Sequence, residues 1–200
     1  MFSTLEDFWY SFAMLFVVLD SVGNIPLFYS ITGKMSSEER AKAFTKSVIV
    51  ASILLTVFAV AGYHVFSWYG SSFTDFKIAG GILLLLIALG ETLGRIEAEQ
   101  LRSEEIAVVP MATPLLAGPG SIYTVIYLNS TYGLLPTLVS IALNTGIAYA
   151  ILLKSNLILE KAGRNTLLAL ARILAFLIAV FAVTMIRSGI EEIVISLLRS

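Results

Sequence analysis

Cysteine is absent from this 200-residue chain, and histidine occurs once, at His64. Without thiols there are no disulfides, no thiolate metal sites and no thiol-redox chemistry. One imidazole cannot build a histidine-rich metal site, so neither a metal nor a cofactor is expected. Charge is scarce too. Asp, Glu, Lys and Arg make up 14% of the residues, against about 25% in a soluble domain. The net charge of -1 leaves no basic face for nucleic acid. What fills the chain is apolar, at 58% of residues against about 45–50% in an ordinary domain. Six spans of about 20 residues would take up about 120 positions. The composition therefore describes an integral membrane protein with almost no soluble mass. It leaves no room for a nucleotide-binding or catalytic domain, so any ATP hydrolysis would need a partner chain. Met1 to Asp7 carries acids and no Lys or Arg, unlike the basic start of a signal peptide. The first helix is expected to be retained.

Low-charge runs place six spans, at about Phe8 to Ile31, Ala43 to Trp68, Phe76 to Leu93, Ile106 to Asn129, Leu134 to Leu153 and Leu167 to Ile186. Turn and charge signals separate them: Gly33 to Arg40, Gly70-Ser71-Ser72, Arg95 to Glu105, Thr131-Tyr132-Gly133 and Lys154 to Asn165. Ser36 with Glu39 three residues on reads as a capping box that opens the second helix. No linker is long enough to divide the chain, so residues 1–200 form one transmembrane domain. Lys34, Arg40, Lys42, Lys46, Arg95, Arg102, Lys154, Lys161 and Arg164 fall on one side of the membrane. Lys77, Arg187 and Arg199 fall on the other. The richer side is cytoplasmic by the positive-inside rule, which puts both termini outside a cell membrane.

Two spans are abnormal. The first carries Leu19-Asp20-Ser21-Val22-Gly23-Asn24-Ile25-Pro26 in mid-span. The fourth carries Pro110 to Ser121, with Pro114 and Gly118-Pro119-Gly120. Proline costs about 3 kcal/mol inside a helix, and glycine costs roughly 1 kcal/mol more than alanine. The backbone must unwind at both places. Unwound backbone at membrane depth survives where protein buries it or where it lines a cavity. Each break opens one half of a three-plus-three arrangement, with repeats of about 1–100 and 101–200. Interrupted helices at matching places in two halves point to a transporter site near the midplane.

A half-helix that restarts after a break presents free N–H groups and a positive dipole end, which suit a carboxylate. Gly118, Gly120 and Ser121 offer this on one side, with Ser121 as a cap for the half-helix that follows. Gly23 and Asn24 offer it on the other. Carbonyls around Asp20-Ser21-Val22 and Thr113 suit an ammonium or a small cation. Pro26, Pro114 and Pro119 act as structural breakers. The expected ligand is a small zwitterion.

These residues resemble signatures of the MarC family of membrane proteins. Asp20-Ser21-Val22-Gly23-Asn24-Ile25-Pro26-Leu27-Phe28 resembles the family's D-P-x-G-N-x-P-x-F in its first helix. Thr113-Pro114-Leu115-Leu116-Ala117-Gly118-Pro119-Gly120-Ser121-Ile122 resembles its P-L-L-A-G-P-G-S-I in the fourth. Ala79-Gly80-Gly81-Ile82-Leu83-Leu84 is similar to its third helix. Ser21 stands where the family usually has proline, so the first break is expected to be less rigid. The resemblance implies an all-α membrane protein of six transmembrane helices, built as an inverted 3+3 repeat with discontinuous helices 1 and 4. It also implies transport of small neutral amino acids such as glycine and alanine, as in the family's archaeal transporters.

Other polar residues have two readings each. Asp20 either couples transport to H+ or Na+, as intramembrane acids do, or caps the half-helix near Gly23. Glu91 reads as a solvated helix end. Arg172 snorkels to the interface or pairs with Asp20 or Glu91. His64 joins Tyr63, Trp68 and Tyr69 in an aromatic interface belt. Asn144, Thr145 and Gly146 line a pathway or bond to a neighbouring helix. Small-residue stretches such as Ala79-Gly80-Gly81 permit a homo-oligomer. The rival functions are a passive small-solute channel, an exporter of another small metabolite, a structural subunit and an intramembrane enzyme. The enzyme is disfavoured because HExxH and GxSxG are both absent.

Overall fold

A computed structural model describes residues 4–25, 28, 32, 35–68, 70, 72–93 and 116–199, without the side chains of 63–67 and 199. Among the described residues there are seven α-helices and no strand: α1 (Thr4–Leu19), α2 (Ser37–Trp68), α3 (Phe73–Thr92), α4 (Pro119–Tyr132), α5 (Leu134–Leu153), α6 (Ser155–Ala162) and α7 (Arg164–Arg199). Four apolar stretches are long enough to cross a bilayer: Ser37–Gly62, Phe73–Thr92, Leu134–Leu153 and Arg164–Leu198. They coincide with the second, third, fifth and sixth expected spans. At 16 and 14 residues, α1 and α4 reach only about 24 and 21 Å. Neither crosses a hydrocarbon core of about 30 Å alone. These two helices flank the expected breaks.

The helix ends follow local chemistry. The box at the start of α2 forms as expected: the Glu39 N–H donates to Ser36 Oγ at 3.3 Å, and the Ser36 N–H donates to Glu39 Oε2 at 2.8 Å. A second box opens α3, with Asp75 N–H to Ser72 Oγ at 3.0 Å and Ser72 N–H to Asp75 Oδ2 at 3.0 Å. Two expected boundaries are corrected. The segment from Lys154 to Asn165 is not a plain separator. It folds mostly into α6, whose C-cap Gly163 has φ 77°, a value glycine takes without strain. The last helix does not stop at Ile186 but runs on to Arg199. Its continuation, Gly189 to Leu198, repeats apolar residues at helical spacing, so nothing in it breaks the helix.

α3 and α7 lie side by side along much of their length, and α1 packs on α4, α5 and α7. α2 packs on α4 and α5, and α4 also touches α3 and α5. Glycines set the closest crossings. A Cβ on Gly81 would lie 2.8 Å from the Ala182 carbonyl of α7, and one on Gly189 would lie 2.6 Å from Ile78 of α3. Gly80 faces the Tyr123 ring of α4. The Ala79-Gly80-Gly81 stretch thus spends its two glycines on contacts inside the chain. At one end of the bundle the half-exposed Glu192 of α7 pairs with Lys77 of α3 and accepts a 2.9 Å bond from Thr74 Oγ1. Lys77 is 9% exposed. Removing its partner leaves a largely buried cation unpaired. Glu192→Ala is expected to lower stability by on the order of 1 kcal/mol, with the value held down by the exposed carboxylate. Thermal unfolding in detergent reads this, and Glu192→Gln should lose less.

Candidate functional site

The first break is held by Asp20. Leu19 ends α1, and Asp20 takes φ 40°, a left-handed conformation that aspartate and asparagine tolerate better than most residues. The Asp20 side chain turns down and accepts the Gly23 N–H at 3.1 Å. Its carbonyl accepts both the Asn24 N–H at 3.1 Å and Asn24 Nδ2 at 3.0 Å. Helical bonding then resumes, with Phe28 N–H to the Asn24 carbonyl at 3.0 Å. Asp20 therefore does act as a cap. Half-buried Glu91 lies within electrostatic range of it. Asp20→Asn retains an acceptor and tolerates the same backbone, whereas Asp20→Ala loses both. The alanine variant is expected to lose about 1–2 kcal/mol, read as a lower unfolding midpoint, with asparagine close to the parent.

The second break is capped differently. Gly118 is the N-cap of α4, in extended conformation at φ -79° and ψ 174°, with no side-chain cap bond. The expectation that Ser121 caps this half-helix is corrected. Ser121 lies inside the helix at its third position, and Pro119 takes the first. Proline suits that place because its missing N–H would have no partner there. The first intrahelical bond is Ile122 N–H to the Gly118 carbonyl at 2.9 Å. The Gly120 and Ser121 amides precede it, so they are the donors this half-helix presents. Leu116, Ala117 and Ser121 are buried, while Pro119 is exposed. Thr113, Pro114 and Pro26 lie outside the described residues.

The structure brings the two breaks together. A Cβ on Gly120 would sit 3.5 Å from Val18 of α1, two residues before Asp20. It would also meet Leu84 and Ile87 of α3 at 3.1 and 3.2 Å. A Cβ on Gly23 would meet Ala171 of α7 at 2.6 Å as well as the Asp20 carboxylate. The Cα faces of both glycines are therefore covered by protein. A ligand would meet these segments through backbone N–H and C=O groups.

The remaining polar residues divide. Asn144 bonds a neighbouring helix, with Nδ2 donating to the Phe12 carbonyl of α1 at 3.2 Å. Thr145 and Gly146 line a groove of about 490 Å³ between α2 and α5, together with Thr45, Ser52, Thr56 and Tyr149. Arg172 is exposed on α7. The side chains of Tyr63 and His64, and all of Tyr69, lie outside the described residues, and Trp68 is 89% exposed. The sequence reading missed the stack of Phe76 on Tyr123, with ring centres 4.4 Å apart. Its signal was available in the facing Gly80, but a glycine in a span does not say which ring it receives. Among the described residues, no group of His, Asp and Glu is arranged to hold a metal ion.

Long apolar helices with many large apolar side chains exposed define a helical, multi-pass integral membrane protein. The chain belongs to the MarC family of integral membrane proteins, whose sequence pattern matches residues 5–194. It is 36% identical to a UPF0056 membrane protein of Methanocaldococcus jannaschii, over 94% of this chain and 97% of the relative. It is 35% identical to one from Archaeoglobus fulgidus, over 96% of each. A Bacillus subtilis UPF0056 membrane protein shares 27%, over 90% of this chain and 92% of the relative. No solved structure matches the chain.

Proposed function

We infer that this protein is a secondary transporter of small neutral amino acids, with glycine and alanine as the expected substrates. The observation that carries the reading is the meeting of the two breaks, Gly120 against the α1 end beside Asp20. The Asp20 carboxylate already fills the donor end at the first break. The substrate carboxylate therefore suits the Gly120 and Ser121 amides, and the ammonium suits Asp20 and its neighbouring carbonyls. Gly23, Asn24 and Gly118 shape the space between, and Thr113, which precedes the second break in the sequence, is the further substrate-binding candidate. Two charged ends held this close leave room for a small side chain.

The helix contacts support an inverted repeat of six spans. Exchange α1, α2 and α3 with α4, α5 and α7. The α1–α5 contact becomes α4–α2, and α1–α7 becomes α4–α3; all four occur. The α2–α5, α1–α4 and α3–α7 contacts map onto themselves. The two glycines follow the same exchange, Gly23 backed by α7 and Gly120 by α3. Two contacts stand outside the exchange: α4–α5, whose helices are joined by the one residue Gly133, and the slight α2–α3 contact. Alternating access would rock one repeat against the other about the breaks, with both termini outside the cell membrane and H+ or Na+ as the driving ion through Asp20. No enzymatic step is needed.

The test is uptake of a labelled amino-acid panel by proteoliposomes, with proton and sodium gradients imposed separately. Uptake of glycine and alanine should saturate and compete, and phenylalanine should be excluded. Non-saturating flux would mean a passive channel. Asp20→Asn should lose gradient-driven accumulation while keeping exchange.

A further inference from the structure

We propose that Ser11, Ser140 and Asn144 form a second site, at the seam of α1 and α5, that binds a primary ammonium group. Hydroxyls in membrane helices ordinarily bond back to the carbonyl four residues earlier. Thr45, Ser52, Thr124, Thr137 and Thr145 all do so here. Ser11 and Ser140 do not. Both are 0% exposed, and neither Oγ has a partner among the described residues. Asn144, 2% exposed, spends its Nδ2 on the Phe12 and Ser140 carbonyls, at 3.2 and 2.9 Å. Those two bonds fix which way the amide points. They leave Asn144 Oδ1 buried without a donor among the described residues.

The three oxygens come from two helices that pack on each other, α1 and α5. Ser140 and Asn144 are one turn apart on one face of α5. Ser11 adjoins Phe12, whose carbonyl Asn144 holds. A buried polar atom favours a hydrogen-bonding partner. An ammonium carries three N–H donors and no acceptor, which matches three oxygens with free lone pairs. The cluster has no carboxylate, which disfavours a divalent ion. Ser11 lies about 13 Å along α1 from Asp20. It precedes the first break in the chain, so the site is a station for the cationic end of the substrate before or after the break. That role rests on the transport reading, but binding of an ammonium does not. Occupancy requires α1 and α5 to part by the width of the group.

The test is thermal unfolding of the full chain in detergent, in methylammonium chloride against tetramethylammonium chloride at equal concentration. Methylammonium offers three N–H donors and no carboxylate; tetramethylammonium offers none. The midpoint should be a few degrees higher in methylammonium for the parent protein, and the difference should vanish in Ser140→Ala and in Ser11→Ala. In tetramethylammonium both variants should be as stable as the parent or slightly more so, because each removes an unsatisfied hydroxyl. Should one variant fail to fold, the other carries the comparison. Equal midpoints in the two salts would overturn the proposal and leave an internal water at the seam. So would a difference that survives both substitutions. A Ser140-dependent rise with NaCl but not with methylammonium would overturn it in favour of a bare-ion site. Since methylammonium is no amino acid, a negative result here and a failure of amino-acid uptake are separate outcomes.

Discussion

Gly23→Val will abolish amino-acid uptake and lower the unfolding midpoint of the purified protein. The reason is steric. The first atom of any side chain at this position falls on the Asp20 carboxylate and 2.6 Å from Ala171 Cβ. That carboxylate is the cap of the Gly23 N–H, so pushing it aside uncaps the half-helix as well. Overpacking of this kind costs about 1–3 kcal/mol, and losing the cap about 1 kcal/mol more. The parting of the break from α7 is what stops transport. Gly23→Ala should be impaired less, and Ala171→Gly should restore part of its uptake. Wild-type uptake by Gly23→Val would remove the first break from the site.

Gly80→Ala will destabilise the protein, against the usual direction for this substitution in a helix. Alanine gains about 1 kcal/mol over glycine by propensity. Here the new Cβ would fall within the Tyr123 ring. The ring cannot swing clear, because it stacks on Phe76 at 4.4 Å and on Tyr127 at 6.5 Å. Overpacking at about 1–3 kcal/mol outweighs the propensity gain. The unfolding midpoint of Gly80→Ala should fall, and Tyr123→Leu in the same chain should recover most of the loss. A raised midpoint in the single variant would contradict the packing of α3 on α4.

Much of this was legible in the sequence, for identifiable reasons. Four spans were plain because 20 uninterrupted apolar residues have few other uses. The first break was legible because Asp20, Gly23 and Asn24 each remove a reason to stay helical. Capping was one of two readings of Asp20, and the 3.1 Å bond to Gly23 establishes the cap; the coupling role is part of the proposed function. Ser121 misled because serine is a good cap in general, while Gly118-Pro119 takes the cap and first positions and moves Ser121 inside the helix. The region from Lys154 to Asn165 misled because charge there looked like a loop. The run Asn156-Leu157-Ile158-Leu159 was short but sufficient for α6. The meeting of Gly120 with Val18, and the bond from Asn144 to the Phe12 carbonyl, are tertiary facts. Nothing in the local sequence pairs those positions.

The most direct measurement is counterflow of labelled glycine in liposomes carrying the pure protein, run beside Gly120→Leu. The account predicts saturable exchange in the parent. It predicts loss of exchange in the variant, whose side chain has to displace Leu84, Ile87 and Val18 where the two breaks meet. No exchange of any amino acid by the parent, or undiminished exchange by Gly120→Leu, would contradict a substrate site built between the two breaks.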